Sequence, residues 1–243
     1  SRKIPVIPRA EILAELMRMR YGIAVAGAHG KTTTTSLVAT VLGEGGLDPT
    51  TIVGGQVNSL GGNARLGSGD YLVAEADESD GSFLRLTPTV AIVTNIDTEH
   101  LDHYGSFEAI ENAFLEFTNK VPFYGFSILC ADDLHVQKLI SSLDRKVVTY
   151  GLKGSFDYSA RNVVSDPNGM VFNAFQKEKK LGEVHIRLRG HHNVSNAMAA
   201  VAAGMEFGIS FKQIQKALKE FRGIHRRFEH VGEVNGITVV DDY

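Results

Sequence analysis

The run Ile23-Ala24-Val25-Ala26-Gly27-Ala28-His29-Gly30-Lys31-Thr32-Thr33-Thr34-Thr35 decides the fold class. Its four apolar residues read as a strand buried on both faces, and glycines at 27 and 30 let the chain turn where a side chain would obstruct it. The segment opening at Lys31 reads as a helix that runs out near Gly43, Gly45 and Gly46. Strand, glycine loop and helix together form an anion site, because backbone N–H groups and the positive end of the helix face the ligand. Lys31 adds charge for the β- and γ-phosphates of a nucleotide, and Thr32 offers a hydroxyl to Mg²⁺. The common nucleotide loop places its first glycine at the position held here by Val25, so this loop is a shortened variant. Gly27, Ala28, His29, Gly30, Lys31, Thr32 and Thr33 are the candidate nucleotide contacts.

Further strands read at Thr51 to Val53, Tyr71 to Ala74, Val90 to Thr94, Ser127 to Cys130 and Lys146 to Tyr150, with helical segments at 107–119 and 133–143. Ile12, Leu13, Leu16, Met17 and Met19 recur at helical spacing and predict a helix over 9–20. Strands alternating with helices imply an α/β fold built on a doubly wound, mostly parallel sheet. Between about 155 and 190 the pattern changes to short strands separated by Asp166-Pro167-Asn168-Gly169 and Lys177-Glu178-Lys179-Lys180, which predicts a small antiparallel β insert. Helical patterning returns at 192–207, where Ala197, Ala199, Ala200, Ala202 and Ala203 permit close packing, and at 211–221. Residues 1–20 read as a connector and helix, residues 21–233 as the central domain and residues 234–243 as the start of a linker; the N- and C-terminal domains they would join, outside this chain, are implied by the family resemblance that the motifs carry.

The chain has 243 residues, 43% hydrophobic and 22% charged, which is ample for a packed core and typical of a soluble globular protein. A formal net charge of −3 gives no sign of a nucleic-acid partner. No run approaches the roughly 20 apolar residues of a membrane span. The single cysteine, Cys130, has no disulfide partner within the chain and lies in an apolar run, so it reads as a buried thiol in a cytoplasmic protein.

Three more stretches carry chemistry. Val73-Ala74-Glu75-Ala76-Asp77-Glu78-Ser79-Asp80 is an apolar strand ending in carboxylates, and the C-terminal ends of such strands line the ligand crevice. Glu75, nearest the sheet, is the expected Mg²⁺ ligand beside Thr32. If the strand persists, Asp77 shares its direction further out, while Ala76 and Glu78 share the other. Val93-Thr94-Asn95-Ile96-Asp97-Thr98-Glu99-His100 ends a third crevice strand, with His100 placed for a second Mg²⁺. His191-His192-Asn193-Val194-Ser195-Asn196 opens a helix with amides that either read a nucleotide or cap the helix. Arg226-Arg227 supplies guanidinium groups suited to phosphate oxygens.

These motifs, with Pro5-Val6-Ile7-Pro8-Arg9-Ala10-Glu11, Ser82-Phe83-Leu84, Thr94-Asn95-Ile96, Pro122-Phe123-Tyr124-Gly125 and Arg226-Arg227-Phe228, resemble the Mur ligase family, whose fold is shared with folylpolyglutamate synthetase. The run from Ala74 to Asp80 and the opening Arg9-Ala10-Glu11 are similar to the branch that adds L-alanine. The resemblance implies an ATP- and Mg²⁺-dependent ligase of peptidoglycan synthesis, with a nucleotide sugar and L-alanine as substrates and an acyl phosphate between them. It implies that Lys31, His100 and Arg227 serve catalysis and that Thr32, Glu75 and His100 serve the metals. His192, Asn193, Asn196 and Asp242 would lie near the nucleotide, and Asp77, Ser79 and Ser82 near the acid substrate. The chain departs from the family pattern at Ala28, where threonine is usual, and at Glu99, where aspartate is usual. Several relatives place a carbamylated lysine at the second metal, whereas no lysine occurs here between His100 and Lys120. Two rivals remain open: a ligase attaching a recycled peptide to the same muramate nucleotide, and a P-loop switch that binds nucleotide without ligase activity.

Overall fold

The computed structural model describes residues 5–57, 62–223, 229–234 and 237–241. After α1 (Arg9–Arg18), the strand β1 (Tyr21–Ala26) runs through the glycine loop into α2 (Lys31–Glu44). Then come β2 (Thr50–Val57), β3 (Gly62–Arg65), β4 (Tyr71–Glu75) and β5 (Val90–Val93). They are followed by α3 (Leu101–Tyr104), α4 (Phe107–Asn119), β6 (Phe126–Cys130), α5 (Leu134–Ile140) and β7 (Lys146–Gly151). The strands β8 (Tyr158–Asp166), β9 (Gly169–Gln176) and β10 (Lys179–Ile186) precede α6 (His191–Glu206), α7 (Phe211–Glu220) and the hairpin β11 (Glu229–Val234) and β12 (Ile237–Asp241).

Ten strands form one sheet in the order β10-β9-β8-β7-β6-β5-β1-β4-β2-β3. From β8 across to β2 every pairing is parallel, and the antiparallel pairs lie at the two edges. The predicted antiparallel segment is β8 to β10, and it extends the main sheet, since β8 pairs parallel with β7 through Tyr150↔Tyr158 and Gly151↔Ser159. The chain leaves β1 toward β2 on one side and later returns to β5 on the other. The order therefore reverses at β1, and a crevice opens at the C-terminal ends of β1, β4 and β5.

Side-chain alternation divides the core into two layers. Ile23, Val25, Val90 and Ile92 pack on the face covered by α2, α6 and α7. Ala24, Ala26, Ala91 and Val93 pack on the face covered by α1, α4 and α5. Burial on both faces explains why these strands are continuous apolar runs. The alanine-rich α6 is buried from Ala197 to Gly204 and packs on both α2 and α7. β4 ends at Glu75, short of Asp77, yet the expected alternation continues beyond it: Ala76 and Glu78 are buried while Asp77 is exposed. The expected domain boundary between 233 and 234 falls inside the β11–β12 hairpin, whose strands pair with each other. None of the described helices is long and apolar enough to cross a membrane.

Gly204 shows how tightly the helices meet. A Cβ there would lie 2.7 Å from Val41 Cγ1 and 2.8 Å from Ile214 Cδ1. Replacing a helical glycine gains at most about 1 kcal/mol of helix propensity, whereas overpacking costs about 1–3 kcal/mol. Gly204→Val should therefore lower the urea midpoint; an unchanged or raised midpoint would show that α2 and α7 can yield.

Candidate active site

The loop between β1 and α2 is held by the end of β5. The Thr94 hydroxyl donates to the His29 carbonyl at 2.6 Å, and the Asn95 side-chain amide donates to the same carbonyl at 3.0 Å. The His29 N–H in turn donates to Asn95 Oδ1 at 2.8 Å. Such closeness requires glycine. Gly27 has φ +137°, and a Cβ on it would meet Thr94 Oγ1 at 2.1 Å. Gly30 has φ +82°, and its Cβ would meet Asn196 Oδ1 at 2.5 Å. Both conformations suit glycine and strain other residues.

The loop opens onto a cavity of about 510 Å³, lined by Ala28, His29, Gly30, Lys31, Thr32 and Thr33 together with Glu75, Leu188, Arg189, Gly190, His192, Asn193 and Asn196. The sequence candidates of the loop, β4 and α6 are thus brought together. The Thr32 hydroxyl donates to Glu75, lying 3.1 and 3.0 Å from its two carboxylate oxygens, and the Gly54 N–H donates to Oε2 at 2.7 Å. Glu75 also lines a second cavity of about 370 Å³, with Arg9, Asp77, Asp80, Ser82 and Arg85 among its walls. One carboxylate therefore separates two adjoining spaces.

The remaining candidates are placed unevenly. Gly27 stands behind the first cavity, and Ser79 lines neither, its N–H donating to Asp77 Oδ1 at 3.0 Å. The Ser82 side chain and then its N–H, which donates to Asp80 Oδ1 at 2.9 Å, hold the Asp80 carboxyl below its usual range. His29 Nε2 lies 3.5 Å from Asp97 and 3.6 Å from Glu99. The helix-cap reading of the His-Asn motif is not realised: Gly190 precedes α6 without a side-chain cap, and the Asn193 amide donates to the Arg189 carbonyl at 2.8 Å. Asn196 bridges helices, accepting from Thr34 at 3.2 Å. His100 adopts a left-handed backbone, φ 62°, just before α3. Lys120 lines neither cavity; it donates to the Leu84 carbonyl and pairs with Glu116 at 3.1 Å. Arg227 and Asp242 lie outside the described residues.

The residue that sequence reasoning passed over is Glu78. Its side chain is 3% exposed, its Oε1 lies 2.8 Å from Lys31 Nζ, and His100 Nε2 is 3.8 Å from the same oxygen. Burial raises the Glu78 carboxyl above its usual range, and the nearby Lys31 charge opposes that rise. The Tyr104 hydroxyl donates to the Glu78 carbonyl at 2.6 Å, and burial, with help from the Glu78 charge, pushes that phenol up to about 12. Alternation marks Glu78 only as facing away from Glu75 and Asp77, and nothing in the run of four acidic residues tells that this side is buried. Arg189 was also missed, because nothing in its local pattern separates it from other exposed cations. Among the described residues, no group of three or more His, Cys, Asp or Glu side chains is arranged to hold a metal alone. A hard cation here would complete its shell with phosphate oxygens and water, as Mg²⁺ prefers.

Gly30→Ala should cost about 1–3 kcal/mol of stability through backbone strain and the Asn196 contact. Gly43→Ala, with open space around it, should be neutral or stabilising by up to about 1 kcal/mol. Urea unfolding of both variants checks the contrast; equal midpoints would remove the special standing of the loop glycine.

Over all 243 residues the chain is 55% identical to a UDP-N-acetylmuramate–L-alanine ligase of Myxococcus xanthus, covering 52% of that protein. It is likewise 55% identical to the ligase of the same name from Geobacter sulfurreducens, covering 53% of it. The chain thus spans about half the length of these curated relatives. Among solved structures, a UDP-N-acetylmuramate-alanine ligase from Thermotoga maritima superposes with a TM-score of 0.84 at 32% identity, over 96% of this chain and 52% of that one. A Neisseria meningitides ligase named for UDP-N-acetylmuramate and L-alanyl-γ-D-glutamyl-meso-diaminopimelate gives 0.82 at 27% identity, over 92% and 73%. Residues 25–204 match the model of the Mur ligase middle domain, and the chain belongs to the Mur ligase family.

Proposed function

We propose that this chain is the ATP-binding middle domain of a cytoplasmic ligase that joins L-alanine to the carboxylate of UDP-N-acetylmuramate during peptidoglycan synthesis. The observation that carries the reading is the position of Glu75 in the wall of both cavities. A nucleotide switch needs one cavity; transfer of a phosphoryl group to a second substrate needs two that meet. The Neisseria structure shows that a peptide-adding ligase can share this fold, so the fold does not select the amine. The names of the relatives at 55% identity favour L-alanine.

The residues fit ATP and Mg²⁺. The glycine loop offers backbone donors at the start of α2, and Thr32 and Glu75 place hard oxygen donors side by side, 3.0 Å apart at their closest. In this reading Lys31 and the loop from Gly27 to Thr33 hold the phosphates, while His192, Asn193 and Asn196 border the nucleotide. Arg227 and Asp242, outside the described residues, are assigned to the nucleotide by the family resemblance. Thr32 and Glu75 hold the first Mg²⁺, and His100 serves a second. Asp77 and Ser82 face the acid substrate, with Ser79 fixing the Asp77 carboxylate. Bound Mg²⁺ would neutralise charge on the transferring phosphoryl group.

An oxygen of the muramate carboxylate attacks the γ-phosphorus, and the bond to the bridging oxygen breaks, with ADP taking the electron pair. The amine of L-alanine then attacks the acyl carbon, phosphate leaves, and the amine proton is lost. The loop and Lys31 supply fixed positive charge to the first step, and electrostatic terms of this kind dominate phosphoryl transfer. The parts of the whole protein beyond this chain bind the UDP moiety and close on ATP and the amino acid.

Two measurements on the full-length protein test the assignment. Lys31→Ala alone strands Glu78 as a buried carboxylate, which costs about 3–5 kcal/mol, so the activity test uses Lys31→Ala/Glu78→Gln. That variant should lose roughly 10²–10³ in kcat, followed as phosphate release with UDP-N-acetylmuramate and L-alanine; near-normal turnover would sink the role of Lys31. In a magnesium titration of activity, Glu75→Gln should raise the magnesium midpoint while Asp77→Asn mainly raises KM for the acid substrate. The reverse pattern would exchange their roles.

A further inference from the structure

The Lys31 ammonium has three N–H donors, and three acceptors surround it: the Gly27 carbonyl at 2.9 Å, the Ala28 carbonyl at 3.3 Å and Glu78 Oε1 at 2.8 Å. A phosphate that takes a hydrogen bond from this lysine must displace one of the three. The two carbonyls belong to the loop backbone, which Thr94 and Asn95 hold in place. Glu78 alone offers its acceptor on a side chain.

The surroundings of Glu78 suit such an exchange. Its second carboxylate oxygen, Oε2, is buried with no hydrogen-bond partner, so the group is not locked from both sides. Its backbone is fixed, since the carbonyl accepts from the Tyr104 hydroxyl and from the Gly81 N–H at 3.0 Å. His100 Nε2 waits 3.8 Å from Oε1, beyond a hydrogen bond but within reach of a small rotation. A buried carboxylate that loses its cation carries a heavy penalty unless another donor replaces it. His100 is the donor at hand, because its Nε2–H can turn to Glu78 while the other ring nitrogen is left for a metal.

We propose that Glu78 is a positioning residue for Lys31: it holds the ammonium withdrawn against the loop in the empty site and yields it to the nucleotide phosphate as the site fills, turning to His100 in exchange. The inference rests on the reading of Lys31 as the phosphate-binding lysine. Its consequence is a threshold. Nucleotide binding must overcome the Lys31–Glu78 contact, so an anion of low charge gains little from this site, while a polyphosphate offers enough to take the lysine. Glu78 thereby lowers nucleotide affinity in return for an ordered lysine.

The test is calorimetric titration of the full-length protein with Mg²⁺ and a non-hydrolysable ATP analogue, using Glu78→Gln and Glu78→Asp. Glu78→Gln, which removes the competing charge, should bind the analogue roughly tenfold more tightly, the scale of one charge-assisted hydrogen bond. Glu78→Asp keeps the charge but draws the carboxylate back by one methylene, and it should bind more tightly as well. A change in the general field near the phosphates would act in the glutamine variant only, and a merely structural role would weaken binding in both. Unchanged or weaker binding in Glu78→Asp, with its circular dichroism and melting temperature retained, would overturn the proposal even if Glu78→Gln did not fold. Wild-type affinity in Lys31→Met/Glu78→Gln would instead overturn the phosphate-binding role of Lys31.

Discussion

The site depends on the absence of two side chains. Because Gly27 and Gly30 carry no Cβ, the loop after β1 lies directly against the end of β5 on one side and against Asn196 of α6 on the other. Thr94 and Asn95 then grip the His29 carbonyl, and α2 begins at a fixed point that sets Lys31 and Thr32 in the wall of the cavity. Everything else in the crevice is placed relative to that loop. Glu75 reaches Thr32 because β4 pairs with β1 in register, Val25 opposite Glu75, so the strand end and the helix start face one another.

Much of this was legible in the sequence for identifiable reasons. The strands buried on both faces read as short apolar runs, and helix α4 falls over 107–119 as its spacing predicts. The loop was legible because a strand, two glycines and a lysine leave few alternatives. The turn after β4 was not. Alternation carried beyond Glu75 puts Asp77 on the Glu75 side and Glu78 opposite, as observed, but it does not tell that the Glu78 side is buried. Asp77 and Asp80 accept backbone N–H groups two residues ahead, closing the turns that follow the strand. Local side-chain bonds of this type compete with strand geometry, and composition alone does not tell which wins. The short helix at 101–104 and the edge pairing of β8 with β7 were hidden for a related reason: both are set by tertiary contacts.

Charge at this site is arranged locally and does not follow from the chain as a whole. The formal net charge is −3, and Glu75 and Glu78 both stand beside the loop. An anionic ligand would be repelled by these features taken alone. Two helix N-termini oppose them, because α2 starts at Lys31 and α6 at His191, and residues from the first turn of each line the same cavity. Each terminus leaves backbone N–H groups without helical partners and contributes roughly half a positive charge. The extension of the sheet through β8, β9 and β10 has its purpose here, since β10 delivers the chain through Leu188, Arg189 and Gly190 to the start of α6. Arg189, whose guanidinium donates to the Pro167 carbonyl at 2.8 Å, adds a full charge to the two dipoles. On the proposed reading the two carboxylates would act as selectors, discouraging a bare anion and favouring one that arrives with its own cation, as a magnesium-bound polyphosphate does.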